Sequence, residues 1–254
     1  MGLMQLNSEG WNKIETAIAI IRQNEPPEGY YVADSGGKDS GVVVDLCKQS
    51  GVKFDAHYNV SPIDPPEVYQ FLKQYRPETQ WDYYARGFWK GKAGLPTRRF
   101  RWCCALIKEA GGIGRTKITG IRWAESSKRK SRCMIETHKK FPNTFFLHPI
   151  ICWSDKECQE YYDITHIPRV CLYEQGFKRV GCIGCPQDRV HRLAGLERYP
   201  KIAHNWRAYA DRYFDAHPNT PSLKLLGSKS TYWDWWLSNL SVKKFLVEYQ
   251  GRLE

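Results

Sequence analysis

The most constraining stretch of the chain is residues 30–47, YYVADSGGKDSGVVVDLC, in which Ser-Gly-Gly-Lys-Asp-Ser separates two apolar runs. Adjacent glycines weaken strands and helices alike, so here they serve the backbone they permit. A buried strand, a glycine turn and a helix form an anion cradle. The N–H groups of the turn and helix start point the same way, and the helix dipole adds to them. Ser35, Gly36, Gly37, Lys38 and Ser40 are the expected partners of phosphate oxygens. Asp39 would repel a polyphosphate unless Mg²⁺ bridges the two. The loop is neither Gly-x-x-x-x-Gly-Lys-[Ser/Thr] nor Gly-x-Gly-x-x-Gly, and an ordinary βα turn is the plainer alternative.

The rest of the chain alternates in kind. NKIETAIAIIRQN predicts an amphipathic helix ending before Pro26-Pro27, SGVVVDLCKQSG a helix closed by Gly51, and DPPEVYQFLKQY a helix opened by proline. FDAHYNV and WDYYAR read as strands, CCALIKEAG as helical, RTKITGIRWAES as a strand running into a loop, and FFLHPII as a further apolar run. Ser154 is the expected N-cap of DKECQEYYDITH. Strands alternating with helices predict an α/β fold, a doubly wound and mainly parallel Rossmann-like sheet covered on both faces. From Asp188 the chain turns aromatic and basic at helical spacing, so a boundary is expected between a domain of residues 1–187 and a helical extension of residues 188–254.

Charge narrows the partner classes. The 38 Lys and Arg against 27 Asp and Glu leave +11, which suits nucleic acid or phosphorylated small molecules, though solubility alone explains it equally well. No window approaches the ~18 apolar residues of a membrane span, so no membrane partner is expected. The opening MGLMQLNSEGWNK lacks a secretory apolar core and puts Leu6 where myristoylation needs Ser or Thr; a cytoplasmic location is expected.

Nine cysteines in such a chain read as thiols or metal ligands rather than disulfides. Cys103-Cys104 and Cys182-x-x-Cys185 form two pairs able to surround a tetrahedral zinc or a [4Fe–4S] cluster, or to act as redox thiols. Pro186 after Cys185 matches the Cys-Pro ending of bacterial ferredoxin runs. Cys47, Cys152, Cys158 and Cys171 are expected to be buried and inert. Cys133, among basic residues, is the spare candidate for a sulfur-carrying nucleophile. Trp233, Trp235 and Trp236 near Lys243 and Lys244 suit base stacking or, more plainly, core packing. His57, His148, His166 and His191 are not spaced as a metal site.

SGGKDS resembles the pyrophosphate loop, Ser-Gly-Gly-x-Asp-Ser, of the ATP pyrophosphatase superfamily. RWCCALIK, TGIRWAESSKR and the block from HPIICW to GCIGCP are similar to its phosphoadenosine phosphosulfate (PAPS) reductase-like branch, over about residues 28–190. The resemblance implies ATP, Mg²⁺ and a [4Fe–4S] cluster held by Cys103, Cys104, Cys182 and Cys185. Lys38, Asp39 and Arg122 would carry the chemistry. Gly120, Arg122, Glu125 and Arg129, which match the branch's Gly-[Ile/Val]-Arg-x-x-Glu-Ser-x-x-Arg segment, would line the nucleotide's far end together with residues 35–40.

Two departures matter. Reductases of this branch carry a catalytic cysteine in a C-terminal tail, whereas no cysteine follows Cys185 here and VEYQGRLE resembles that tail only in length. The reductases also tend to have a degenerate phosphate loop, whereas this one is intact. Both departures favour ATP activation: an adenylating, pyrophosphate-releasing iron–sulfur sulfurtransferase acting on tRNA, DNA or a small molecule, with an adenine nucleotide and a sulfur- or electron-donor protein as partners. A homodimer is compatible with this reading. The alternatives are a PAPS or adenylylsulfate reductase using a thiol supplied in trans, and a non-catalytic nucleic-acid or partner-binding module.

Overall fold

A computed structural model describes residues 2–6, 10–91, 93–188 and 190–250; the ends of MGLMQLNSEGWNK and VEYQGRLE thus lie partly outside the described residues. The chain divides into two compact units, one of residues 1–60, 66–82 and 110–180, the other of residues 61–65, 83–109 and 181–254. The compositional boundary at 187/188 therefore falls inside the second unit. Apolar anchors such as Phe88, Leu95 and Trp102 from residues 83–109 join the aromatic C-terminal helices in one core. No run of a single composition could have marked so discontinuous a unit.

In the first unit, α1 (Lys13–Gln23) opens on a capping box: Asn12 accepts from the N–H groups of Ile14 and Glu15, and Glu15 accepts from the Asn12 N–H. Then follow β1 (Tyr30–Ala33), α2 (Lys38–Ser50), β2 (Phe54–Val60), α3 (Pro66–Tyr75), β3 (Gln80–Tyr83), β4 (Thr116–Ile118), β5 (Ile135–Thr137), β6 (Phe145–Leu147) and α4 (Asp155–Thr165). Ser154 caps α4 as its sequence predicts. Among the described residues the sheet runs β3-β2-β1-β4-β6-β5. β1 is parallel to β2 and β4, β4 is parallel to β6, and β5 returns antiparallel at the edge. The fold is α/β, mainly parallel and Rossmann-like.

The period of two sorts the strands' side chains. Tyr30 and Val32 of β1, Ala56 of β2, Ile118 of β4 and Leu147 of β6 pack with α1, α2 and α4 into one apolar core. Tyr58 packs against Val68, Phe71 and Leu72 of α3. The opposite face is polar instead of the expected second apolar layer. Tyr31 stacks on His57 with centroids 4.1 Å apart, and His57 lies between Asp55 and Asp82. The alternation in FDAHYNV causes this, because every second residue of β2 is Asp55, His57 or Asn59.

In the second unit, α5 (Arg192–Arg198), α6 (Pro200–Ala216), α7 (Pro221–Leu226), α8 (Lys229–Ser238) and α9 (Val242–Gln250) surround Trp206 and Trp236. Among the described residues no helix is long and apolar enough to cross a membrane.

Candidate active site and cysteine centre

The order of the sheet reverses at β1, and the crevice at the carboxyl ends of β1 and β4 is where such sheets bind ligands. Residues 34–37 leave β1 there and residues 119–125 leave β4. The two loops touch: a Cβ on Gly120 would meet the Asp39 carbonyl oxygen at 2.7 Å, so only glycine permits this approach. α2 begins at Gly37 without a side-chain cap. Ser35 is exposed and Gly37, Lys38 and Asp39 are half-buried, so the loop is open to a ligand.

Hydroxyls and a carboxylate hold its N–H groups. Ser35 N–H donates to Ser40 Oγ at 3.2 Å, Gly36 N–H to Asp34 Oδ1 at 2.9 Å, Gly37 N–H to Ser35 Oγ at 3.3 Å and Lys38 N–H to the Tyr173 hydroxyl at 2.9 Å. Beneath the loop, Asp34 is buried and paired with Arg76 at 2.6 Å, with Thr79 and Ser40 also donating to it. This floor is fixed, whereas the three hydroxyl acceptors can rotate and donate to an incoming phosphate.

Arg122 is buried and bridges two carboxylates. Its Nε donates to Asp39 at 2.9 Å and its Nη2 to Asp155 at 2.7 Å, while Nη1 donates to the Trp153 carbonyl. Burial alone would pull the guanidinium down; Asp39 and Asp155 outweigh it and hold the group above its ordinary value. Hydrogen bonds from Arg122 and then Lys38 keep Asp155 below the usual carboxylate range. Lys38 Nζ lies 3.1 Å from Asp155. Glu125 accepts from the Arg122 backbone and pairs with Arg129, which links Gly120, Arg122, Glu125 and Arg129 to the loop of residues 35–40. Two cations and two carboxylates thus balance at the site. A polyphosphate would compete with Asp155 for Lys38, leaving Asp39 and Asp155 as the oxygen ligands available to Mg²⁺.

The four paired cysteines lie together in the second unit. Cys103 lies within electrostatic reach of Cys104, Cys182 and Cys185, and Cys182 within reach of Cys185. Cys104 begins a wide helical turn, Cys104–Lys108, closed by the Glu109 N–H on the Cys104 carbonyl at 2.9 Å. CCALIKEAG is therefore helical, but in the π form common at functional sites. Donation from Cys103 pushes the Cys104 thiol down to about 7, aided by Arg101 and Lys108, and Cys103 is pushed up in turn. Burial, followed by Asp64, raises Cys182; Asp64 also pairs with Lys108.

The turn of residues 182–185 is held by its backbone. Trp206 Nε1 donates to the Ile183 carbonyl at 3.0 Å, Arg192 Nε donates to the Gly184 carbonyl at 3.0 Å, and Ile183 N–H donates to the Ile63 carbonyl at 2.6 Å. Gly184 has φ +76, and a Cβ there would meet Trp206 at 3.0 Å and Trp236 at 3.2 Å.

Among the described residues no group of three or more His, Cys, Asp or Glu is placed so that it could hold a single metal ion. A mononuclear zinc needs all its sulfurs ~2.3 Å from one centre, whereas a cluster offers a different iron to each cysteine. The donor set suits such an anionic metal–sulfur group: four thiols, a cation at Lys108, and a buried Arg192 whose Nη2 has no acceptor among the described residues.

The other cysteines divide. Cys47 and Cys158 are buried, and burial pushes the Cys158 thiol up to about 12. Cys152 and Cys171 are exposed, contrary to expectation, because Cys152 lies in a turn and Cys171 opens the short 3₁₀ helix Cys171–Tyr173 instead of sitting on a packed face; Cys133 is exposed as well. Trp236 is core, Trp235 stacks on Tyr232, and Trp233 packs against Trp236. Asp34, Arg76, Asp155 and Tyr173 escaped sequence reasoning as site residues. Asp155 and Tyr173 stood in the matching block without being singled out, and Asp34 offered the weak signal of an acid ending an apolar strand.

The phosphoadenosine phosphosulfate reductase domain family matches residues 29–188, more than half of the chain. The chain belongs to this family. An uncharacterized protein of Methanocaldococcus jannaschii is 27% identical over 210 residues, covering 73% of this chain and 42% of that protein. A second uncharacterized protein of that organism is 25% identical over 185 residues, covering 68% of this chain and 45% of its own length. This PAPS reductase-family chain thus spans less than half the length of either archaeal relative. The adenosine 5′-phosphosulfate reductase of Rhodococcus erythropolis is 34% identical over 89 residues, 33% of this chain and 35% of that enzyme. A point variant of Candida glabrata FMN adenylyltransferase has a similar fold, with a TM-score of 0.51 and 16% identity over 70% of this chain and 64% of that one.

Proposed function

We propose that this PAPS reductase-family chain is an ATP-dependent sulfurtransferase that adenylates its acceptor, releases pyrophosphate and holds a [4Fe–4S] cluster on Cys103, Cys104, Cys182 and Cys185. The observation that carries the reading is the intact Ser-Gly-Gly-Lys-Asp-Ser loop, open at the carboxyl end of β1, with Lys38, Asp39, Arg122 and Asp155 in one charge-balanced group. Loop N–H groups and Lys38 would stabilise charge on the leaving pyrophosphate, with Mg²⁺ on Asp39 and Asp155. An oxygen of the acceptor attacks the α-phosphorus and the bond to the β-phosphate breaks, so pyrophosphate leaves with the electron pair. Sulfide-level sulfur from a donor protein then displaces AMP from the acceptor. When bound, the cluster would supply a site for sulfur or electron delivery. Arg122 orients Asp39 and Asp155, and Arg129 with Glu125 extends the anion-binding edge toward the acceptor, for which tRNA, DNA and small molecules are the candidate classes.

The likeness to the Rhodococcus adenosine 5′-phosphosulfate reductase favours a second reading, reduction of a sulfonucleotide by a thiol supplied in trans. One experiment separates the two. Anaerobically purified protein is given ATP-Mg²⁺ with acceptor and sulfide, or adenylylsulfate or PAPS with thioredoxin. Pyrophosphate from the first mixture supports the proposal; sulfite from the second with no pyrophosphate from the first replaces it with the reductase.

A further inference from the structure

α5 begins with a cation that has no place in an ordinary helical core. Arg192 is 4% exposed within the second unit. A guanidinium carries five N–H donors in a fixed fork. Here Nε serves the Gly184 carbonyl at 3.0 Å, and Nη1 serves the carbonyls of Trp236 at 2.7 Å and Leu237 at 3.3 Å. The plane of the fork lies over the Trp236 ring, 4.1 Å from its centroid. The two N–H groups of Nη2 have no acceptor among the described residues. These acceptors are all neutral carbonyls. Among the described residues, the side-chain charge that acts on Arg192 is that of Cys185.

A buried cation costs several kcal/mol in lost hydration, and carbonyl dipoles with one tryptophan face return only part of it. Its position is chemically specific. The carbonyl it pins belongs to Gly184, the residue before Cys185, and the two others close the end of α8, so one fork ties the cysteine turn to a second helix. Four thiolates around an iron–sulfur core carry more negative charge than the core neutralises, so such a group is an anion and gains from a buried cation with free donors.

We infer that Arg192 is a positioning residue for the cysteine centre, fixing the turn of residues 182–185 and offering its two remaining donors to the anionic metal–sulfur group held there. The inference rests on the cluster reading above. Since reduction adds negative charge, a fixed cation beside the group favours the reduced form. Potentials of such centres follow net charge and hydrogen bonds to sulfur. Lysine would supply the charge without the fork, and glutamine neither.

The test uses the full chain, reconstituted anaerobically with iron and sulfide, as wild type, Arg192→Lys and Arg192→Gln. Iron and sulfide per chain, the rate of cluster loss to a chelator, and the midpoint potential from an EPR-monitored titration are measured. For Arg192→Gln, the reduction equilibrium is expected to weaken about tenfold, ~59 mV for a one-electron couple. Arg192→Lys is expected to keep the wild-type potential but lose the cluster several-fold faster. A purely packing role would alter stability without moving the potential of the loaded fraction. If Arg192→Gln does not fold, the Lys variant decides: a loss rate equal to wild type overturns the inference. An unchanged potential in a loaded Gln variant overturns it as well. Wild type that takes up no iron or sulfide removes the cluster reading and this inference together, an outcome distinct from failure of Arg192 alone.

Discussion

Around residues 35–40 the groups facing the site are side chains that can let go. Hydroxyls of Ser35, Ser40 and Tyr173 accept from the loop, and Lys38 leans on Asp155, whose side chain is 69% exposed. Around residues 182–185 the groups that matter are backbone carbonyls, gripped by the buried side chains of Trp206 and Arg192 and backed by Trp236. The first arrangement suits a ligand that comes and goes, because each contact has a replacement in phosphate, metal or water. The second suits a resident group, since its geometry is set before anything binds.

The contrast breaks most readily at the loop. Lys38→Ala and Asp39→Ala are each expected to lower ATP-dependent pyrophosphate release ~100-fold or more while the fold stays intact, read by steady-state kinetics beside circular dichroism. Next comes the fixed floor. Asp34→Ala strands Arg76 in the interior and is expected to cost about 3–5 kcal/mol in urea unfolding, which would mark that layer as structural. At the other centre, Gly184→Ala must adopt φ +76 and press on two tryptophans. A loss of about 2–3 kcal/mol with poor cluster retention is expected, whereas a fully stable, fully loaded variant would show that the turn is not preset.

A pH series sharpens the same comparison within the first unit. Burial, then Arg132, pushes His148 down to about 4. The unfolded chain therefore binds more protons than the native one between about pH 6.5 and 4. Stability is complete above that window and falls as pH drops through it, by roughly 3 kcal/mol at most. His148→Asn should flatten this part of the profile, and an unaltered profile would exclude His148 as its source. The smallest effect is a matter of order. In cluster-free protein at pH 7.5, iodoacetamide is expected to label Cys104 ahead of Cys103 and Cys182, followed by peptide mass spectrometry.

Much of the first unit was legible because its signals are local. Asn12 and Ser154 announce helix starts, two glycines between apolar runs announce the turn, and Gly51 closes α2. What escaped depends on distance in sequence. The antiparallel strand Ile135–Thr137 is three residues long and owes its conformation to pairing with β6. Asp34 and Arg76 become partners only when α3 folds back beneath the loop, and Asp155 meets Lys38 only through α4. The second unit was least legible, since residues 61–65, 83–109 and 181–254 share a core that no contiguous pattern reveals. The polar face of the sheet was readable in principle: Asp55, His57 and Asn59 alternate through β2, which a strand buried on both faces does not do.

The most direct measurement is pyrophosphate release by the anaerobically reconstituted wild-type chain with ATP-Mg²⁺, sulfide and bulk tRNA or DNA as acceptor, compared with Asp39→Ala. The account predicts pyrophosphate formation that depends on Mg²⁺ and is lost in the variant. Absence of pyrophosphate under every acceptor condition, with sulfite formed from a sulfonucleotide by the same preparation, would contradict it.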